Sequence, residues 1–208
     1  MPSLQSIFIS TATLASCLLG AFAVPVPTSG KSVSSLNVPL NGLVAPKGLT
    51  LRYVALGLGT QNYTCSDTSS APVSIGAVAS LYDASSLLAN APATIPSLAA
   101  LAYSVSNSLG LPTLGHHWFS ASGVPTFDLE AANPRAFLSA KKVASVPAPS
   151  SSIANSVPWL YLTDDGRGVS RNVKAVYRVE TAGGGAPATC TKVGVITVRY
   201  AAEYWIYN

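Results

Sequence analysis

The sequence predicts a mainly β protein, a single-domain β-sandwich or barrel with one short helix and one disulfide. Many short segments rich in β-branched and aromatic residues follow one another, separated by Gly, Pro, Ser and Asn, a pattern typical of antiparallel sandwiches and barrels. No alternation of strands with helices and no internal repeat is present, which argues against a parallel α/β fold. Only 10% of the 208 residues are charged, against about 25% in average globular proteins, which argues against a disordered chain.

The first 23 residues predict a secretory signal peptide. They carry no charged side chain, contain an apolar stretch and end in an A-x-A cleavage pattern at 21–23. A transmembrane anchor is one alternative, but Ser and Thr interrupt the apolar stretch and no basic residue flanks it. Residues 14–17 (LASC) also resemble a bacterial lipobox, although the apolar stretch continues beyond them. We expect a secreted mature chain that starts near Val24 and is not stably inserted in a membrane.

The mature chain begins with an arm and continues as one domain. Residues 24–43 are rich in Pro and Ser and predict an extended arm, and residues 44–208 predict a single β-rich domain. Leu49–Leu58 is dense in β-forming residues and is expected to be a strand that ends in the Gly-Thr-Gln-Asn turn at 59–62. Ser74–Asp83 predicts the second strand.

The middle of the domain predicts one helix and one hairpin. Apolar residues recur at helical spacing in Ser97–Leu109, and Gly and Pro follow directly, so that the helix is expected near 97–109. His116–Phe119 and Val124–Leu129 predict two strands joined by a turn that contains Ser-Gly.

The last third of the chain predicts four more strands. Phe137–Val146 is expected to end at a Pro/Ala/Ser loop, and Val157–Thr163 predicts a short buried strand followed by an Asp-Asp-Gly-Arg-Gly turn. In Val173–Thr181, a more apolar and a more polar set of residues alternate, which predicts a half-buried strand with Arg178 on the more polar face. Val193–Tyr207 is the longest strand candidate.

Two cysteines and one sequon remain after signal removal. An even pair of cysteines in a secreted chain predicts one disulfide, Cys65–Cys190, and two free thiols are the alternative. The bridge closes a loop of 125 residues, for which chain-entropy arithmetic gives about 5 kcal/mol as an upper figure. Asn62 begins the N-Y-T sequon and predicts a surface glycosylation site in a host that glycosylates.

Several segments together resemble a known family. They are GTQNYTC (59–65), LYDA (81–84), HHWF (116–119), PTFDL (125–129), VPWL (157–160), VYRV (176–179) and YAAEYW (200–205). This combination resembles the secreted fungal group of the domain of unknown function 3455 family. The resemblance implies a secreted, single-domain, β-rich protein with no established activity, and it carries over no catalytic residue. Fungal members of the family often bear the name "malate dehydrogenase".

The residues do not support a nicotinamide dehydrogenase. Such an enzyme needs G-x-G-x-x-G between a strand and a helix, because backbone amides and the helix N-terminus hold the pyrophosphate. The best fragment spans 57–62, where Asn62 replaces the third Gly and no helical pattern follows. A strand that ends in a Gly turn explains the fragment, and we expect no cofactor.

The two histidines are the main candidates for chemistry. His116 and His117 are neighbours on a predicted strand, so that at most one faces a given pocket. One of them paired with Asp83 or Asp128 would form a general base or a metal ligand, which defines the alternative function, a secreted hydrolase. The other interpretation is a structural His beside Trp118. Two His and two bridged Cys leave too few ligands for a closed zinc site, and we expect no metal.

Aromatic residues suggest binding without catalysis. Trp118, Trp159 and Trp205 lie on predicted strands, where exposed rings stack on sugars and buried rings fill the core. The leading hypothesis is a secreted extracellular or cell-wall-associated protein, leaning non-enzymatic, that binds polysaccharide or another surface ligand. A net charge of +4 without a clustered basic motif gives no reason to expect nucleic acid. The sequence does not specify an oligomeric state.

Overall fold

Residues 31–208 are described by the computed structural model, so that the predicted signal peptide and residues 24–30 of the predicted arm lie outside the described residues. In chain order, the main elements are β1 Leu51–Cys65, β2 Val73–Asp83, α1 Ser85–Asn90, α2 Ile95–Val105, β3 Thr113–Phe119, β4 Pro125–Leu129, β5 Ala136–Val146, β6 Trp159–Asp164, β7 Ala175–Gly183 and β8 Gly194–Tyr207. Single 3-10 turns lie at Val33–Ser35 and Pro92–Thr94. Within 31–208, no helix has the length and apolar character that crossing a membrane requires.

The eight strands form one closed antiparallel barrel. Each strand pairs with the next along the chain, and β8 pairs with β1 to close the sheet. Closure depends on β1, in which Gly59 lies opposite Ala79 on one side and opposite Tyr200 on the other. Because this pairing runs through residues 59–62, the turn predicted there is wrong, and β1 continues to Cys65. Of the two predicted architectures, the barrel is confirmed.

Two glycines of β1 provide the space that the barrel interior needs. A Cβ atom at Gly57 would overlap the ring of Tyr204, and one at Gly59 would overlap the carbonyl oxygen of Val78. A side chain at either position would therefore push the neighbouring strand or the ring aside. The Gly-x-Gly fragment is thus explained by sheet packing.

The barrel has an inner core and an outer core. The inner core fills the barrel with large side chains from several strands, among them Leu81, Phe127, Tyr200 and Tyr204. The outer core lies on the outside of β1, β7 and β8, where the two helices and residues 31–50 cover the sheet. It buries Tyr177, Trp205, Leu88, Leu98 and Val38.

Strand β7 is buried on both faces, so the prediction of a half-buried strand is wrong. Tyr177 and Val179 point outward into the outer core, and Val176 points inward. Because neighbouring side chains of a strand alternate, Arg178 points into the barrel with Val176. The sheet closes around one face of β7 while α2 packs on the other, and this leaves the strand no solvent-exposed face.

The predicted helix is confirmed with different bounds. Helix α2 starts at Ile95 with Pro96 in its first turn and ends where Ser106 adopts a left-handed backbone with φ of 57°. Helix α1 was not predicted from the sequence. In α1, the backbone N–H of Ser85 donates to a carboxylate oxygen of Asp83 at 2.9 Å, and Leu88 is fully buried.

The predicted disulfide Cys65–Cys190 is confirmed. It ties the end of β1 to the loop that precedes β8. The described part of the predicted arm packs against the barrel, because Val38 and Leu43 are buried in the outer core and the Asn41 side chain donates to the Pro147 carbonyl at 3.0 Å.

Candidate functional site

One end of the barrel opens into a cavity of about 590 Å³. This volume lies within the range of about 300–1,000 Å³ that is usual for small-molecule sites. The lining comes from the end of β1, the start of β2, the β3–β4 turn and parts of β5, β6 and β7. The walls are mostly apolar and include Phe119, Val124, Pro125, Val157, Leu160 and Leu162. We call this cavity the barrel mouth.

Arg178 places a buried positive charge in the barrel mouth. Pairing aligns Leu160, Arg178 and Tyr204 on three neighbouring strands of the inner face. The Arg178 side chain is only 8% exposed, and its Nη2 donates to the Pro158 carbonyl at 2.8 Å. Its Nε is buried without a hydrogen-bond partner. Among residues 31–208, no carboxylate forms an ion pair with Arg178.

Gln61 adds a second unsatisfied donor to the same cavity. Its side chain is 5% exposed, lines the barrel mouth, and leaves its Nε2 without a partner. Buried polar groups normally find hydrogen-bond partners, and a buried charge without a counter-ion is costly. Two unsatisfied donors in one open cavity therefore indicate a site for an acceptor group supplied by a ligand.

The tyrosines around Arg178 do not supply the missing negative charge. Tyr200 and Tyr204 share a hydrogen bond of 2.7 Å between their hydroxyls, and the Tyr63 hydroxyl donates to the Gly184 carbonyl at 2.6 Å. Burial raises the pKa of all three phenols, although the charge of Arg178 opposes the shift. Weaker contacts of the Gln61 side chain with Tyr200 and of the Arg178 side chain with Tyr204 also oppose it, but they leave Gln61 Nε2 and Arg178 Nε without a hydrogen bond. The phenols therefore stay neutral at physiological pH.

The rim of the barrel mouth is also basic. Lys141, Lys142 and Arg167 line it, with Asp165 as the one carboxylate of the lining. Asp165 accepts a hydrogen bond of 2.6 Å from Ser139 and pairs with Arg167 at 3.3 Å. The hydrogen bond from Ser139 is the main reason that the pKa of Asp165 is lowered. The surplus of positive charge favours the approach of anions.

The histidines lie outside the barrel mouth, and neither meets its predicted acid in a cavity. His117 is buried in the inner core, where its ring stacks on Phe127 with centroids 4.2 Å apart. Its Nδ1 lies 2.9 Å from the Thr126 carbonyl oxygen, which only accepts, so the ring donates from Nδ1. Burial lowers the pKa of His117 to about 4. His116 is on the outer face, 3.3 Å from Glu130.

The two predicted acids have other partners. Asp128 lies opposite His116 in the β3–β4 pairing, but its carboxylate binds Arg135 at 2.6 Å. Asp83 accepts the backbone N–H of Ser85 at the start of α1. Among residues 31–208, no group of three or more His, Cys, Asp and Glu side chains is placed to hold a metal ion.

The three tryptophans do not form one exposed platform. Trp205 is fully buried and Trp159 is 2% exposed, both in the outer core. Trp118 is half-buried on the outer face of β3, opposite Val78. Asn62 lies half-buried in β1 and accepts a hydrogen bond from Thr60 at 2.9 Å, and its glycosylation stays a prediction.

Sequence reasoning missed Arg178 and Gln61 as functional residues. The prediction of a half-buried β7 placed Arg178 toward solvent. The turn predicted at 59–62 placed Gln61 outside the sheet. One signal for Arg178 was present in the sequence. It lies between Tyr177 and Val179, and a charged residue within an apolar strand segment indicates either a buried partner or a binding role.

Comparison with known families matches residues 46–208 to the family described as "Protein of unknown function (DUF3455)". No curated protein and no solved structure matches the chain. The site therefore has to be interpreted from its own geometry.

Proposed function

The chain belongs to the DUF3455 family, whose description assigns no activity, and from the geometry of the barrel mouth we propose that this protein is a secreted, non-enzymatic binding protein. Its ligand occupies the barrel mouth. The observation that carries the proposal is the open cavity of about 590 Å³ with apolar walls and buried, unsatisfied donors. An apolar pocket with a few convergent polar groups is the usual form of a small-molecule site.

Binding without catalysis is the better supported role of this site. General acid–base chemistry needs a titratable group within hydrogen-bond reach of the substrate. Both histidines lie outside the cavity lining, and its one carboxylate, Asp165, is engaged by Ser139 and Arg167. The lining serines Ser74 and Ser145 have no histidine among the other lining residues to activate them. The hydrolase alternative with Asp83 or Asp128 gains no support from this geometry.

Secretion is part of the proposal. The predicted signal peptide and cleavage pattern support it, and so does the disulfide, because such bridges persist mainly in oxidising environments. Cell-wall polysaccharide as a partner stays a prediction. The burial of Trp159 and Trp205 weakens the stacking argument for it.

A neutral fluorescent probe tests this proposal. Purified mature protein, residues 24–208 with the disulfide formed, is titrated with N-phenyl-1-naphthylamine, whose emission rises in apolar surroundings. We expect saturable binding. Leu160→Trp fills the barrel mouth and is expected to weaken binding at least about tenfold, because overpacking removes the space for the ring.

Val143→Trp is the matched control. Val143 lies on the neighbouring strand β5 but is 53% exposed and is absent from the cavity lining, so that this variant should bind like the unaltered protein. Circular dichroism checks that both variants fold. Absence of saturable binding, or equal binding by Leu160→Trp and the control, would contradict the proposal.

A further inference from the structure

We infer that the ligand of the barrel mouth is an amphiphile with a carboxylate head and an apolar chain, and that Arg178 pairs with the carboxylate inside the barrel. The inference rests on the proposed function. It adds the chemical class of the ligand and the residue that recognises it.

The unsatisfied donors specify the head group. The Arg178 guanidinium is planar, and with Nη2 engaged by Pro158 it still offers Nε without a partner. A planar carboxylate suits this donor set and cancels the charge, whereas a hydroxyl group of a neutral sugar leaves the charge uncompensated. Gln61 Nε2 is a second donor in the same lining.

No group of the described chain replaces the carboxylate. Asp165, which shares the lining with Arg178, is engaged by Ser139 and Arg167. The hydroxyls of Tyr200 and Tyr204 are hydrogen-bonded to each other. The buried charge of Arg178 thus lacks a counter-ion within residues 31–208, and an anionic ligand supplies one.

The walls and the rim specify the rest of the ligand. Apolar side chains such as Phe119, Leu160 and Leu162 belong to the same lining as Arg178, and they suit methylene groups. Lys141 and Lys142 at the rim are exposed and attract an anion toward the opening. We therefore expect the head to enter first and the chain to lie along the apolar walls.

A pair of ligands with the same chain and different heads tests the inference. Decanoate and decanol each displace N-phenyl-1-naphthylamine from the mature protein, measured near pH 7, where the carboxylate is ionised. We expect decanoate to bind at least about tenfold more tightly than decanol, which corresponds to one hydrogen-bonded charge pair. This comparison uses the unaltered protein and stands even if a variant fails to fold.

Arg178→Met removes the charge and keeps a long apolar side chain. We expect this variant to lose the preference for decanoate while it still binds decanol and the probe. Arg171→Met is the matched control, because Arg171 is exposed and absent from the cavity lining, and it should retain the preference.

The outcomes separate the two claims. Equal affinities for decanoate and decanol in the unaltered protein, or an unchanged preference in a folded Arg178→Met, would overturn the inference and leave the proposed function standing. Failure of the probe, decanoate and decanol to bind at all would overturn both.

Discussion

Acid should destabilise the protein through His117. The folded protein keeps this ring neutral, because burial lowers its pKa from 6.5 to about 4. The unfolded chain therefore binds a proton first as the pH falls. The contribution of the neutral His117 ring to the free energy of unfolding is fully present above pH 6.5 and is lost progressively between pH 6.5 and about pH 4.

The size of the effect follows from the two pKa values. The unfolded chain takes up the proton with a pKa of 6.5 and the folded protein with a pKa of about 4, and this difference costs about 2–3 kcal/mol of stability at about pH 4.5 and only a few tenths of a kcal/mol at about pH 7. His117 alone should thus lower the free energy of unfolding by about 2–3 kcal/mol between these two conditions.

His117→Phe isolates this contribution. Phe keeps the stacking on Phe127 and loses the hydrogen bond to Thr126, a loss that does not depend on pH. Urea unfolding followed by circular dichroism gives the free energy of unfolding at about pH 7 and about pH 4.5, and the acid-induced loss should be smaller in the variant by about 2–3 kcal/mol.

Other titrating groups are common to both proteins and cancel in the comparison. His116→Phe is the control for the substitution itself, because it retains His117 and should keep the wild-type loss. An identical acid-induced loss in His117→Phe and in the unaltered protein would refute the reasoning, since it would mean that the buried ring takes up its proton as easily as in the unfolded chain.

Three further perturbations follow from buried groups. Arg178→Met should raise the free energy of unfolding of the ligand-free protein by about 1–4 kcal/mol in urea, because it removes a buried charge without a counter-ion; equal or lower stability would show that the charge is compensated. Burial raises the pKa of Glu203 well above 4.5, and the hydrogen bond from Trp205 opposes this shift. The folded protein therefore holds the Glu203 proton more tightly than the unfolded chain does, so that the stabilisation by the neutral carboxyl group is complete below pH 4.5 and is lost as the pH rises. Glu203→Gln should therefore be more stable than wild type at about pH 8 and lose this pH dependence, and a variant that is less stable there would contradict the shift. Replacing Cys65 and Cys190 together by Ala should cost about 2–5 kcal/mol in urea unfolding, and an unchanged midpoint would show that the bridge adds no stability.

The strands were the predictable part of the fold, because β-forming residues and turn residues act locally. The bounds of β2, β4 and β5 lie within a residue of the sequence prediction. The choice between sandwich and barrel was not local. It depends on the pairing of β8 with β1, which brings Tyr200 to Gly59 across more than half of the chain.

The errors in β1 and β7 share one physical cause, which is burial on both faces of a strand. In β1, Gly59 was interpreted as the start of a turn, although Gly57 and Gly59 make room for Tyr204 and the β2 backbone. In β7, the polar face was expected to meet solvent, although it lines the barrel interior. Helix α1 has only six residues, too few for a periodic pattern to be recognised.

The candidate site was less predictable than the fold. His116 and His117 attract attention because histidine is rare in this chain, yet the structure separates them onto opposite faces of β3 as the alternation of a strand requires. The alternative given for the tryptophans, that they fill the core, describes Trp159 and Trp205. Arg178 matters because it is buried without a counter-ion among residues 31–208. A sequence does not show which partners a buried charge has in the folded protein.

The most direct test of the account observes the Arg178 side chain while a ligand binds. In ¹⁵N-edited NMR spectra of the mature protein, the Nε–Hε signal of Arg178 is identified by its absence from Arg178→Met. On titration with decanoate, we expect this signal to shift and saturate in step with displacement of the probe, and to move little on titration with decanol. An Arg178 Nε–Hε signal that stays in place while decanoate binds would contradict the claim that this buried charge recognises the ligand.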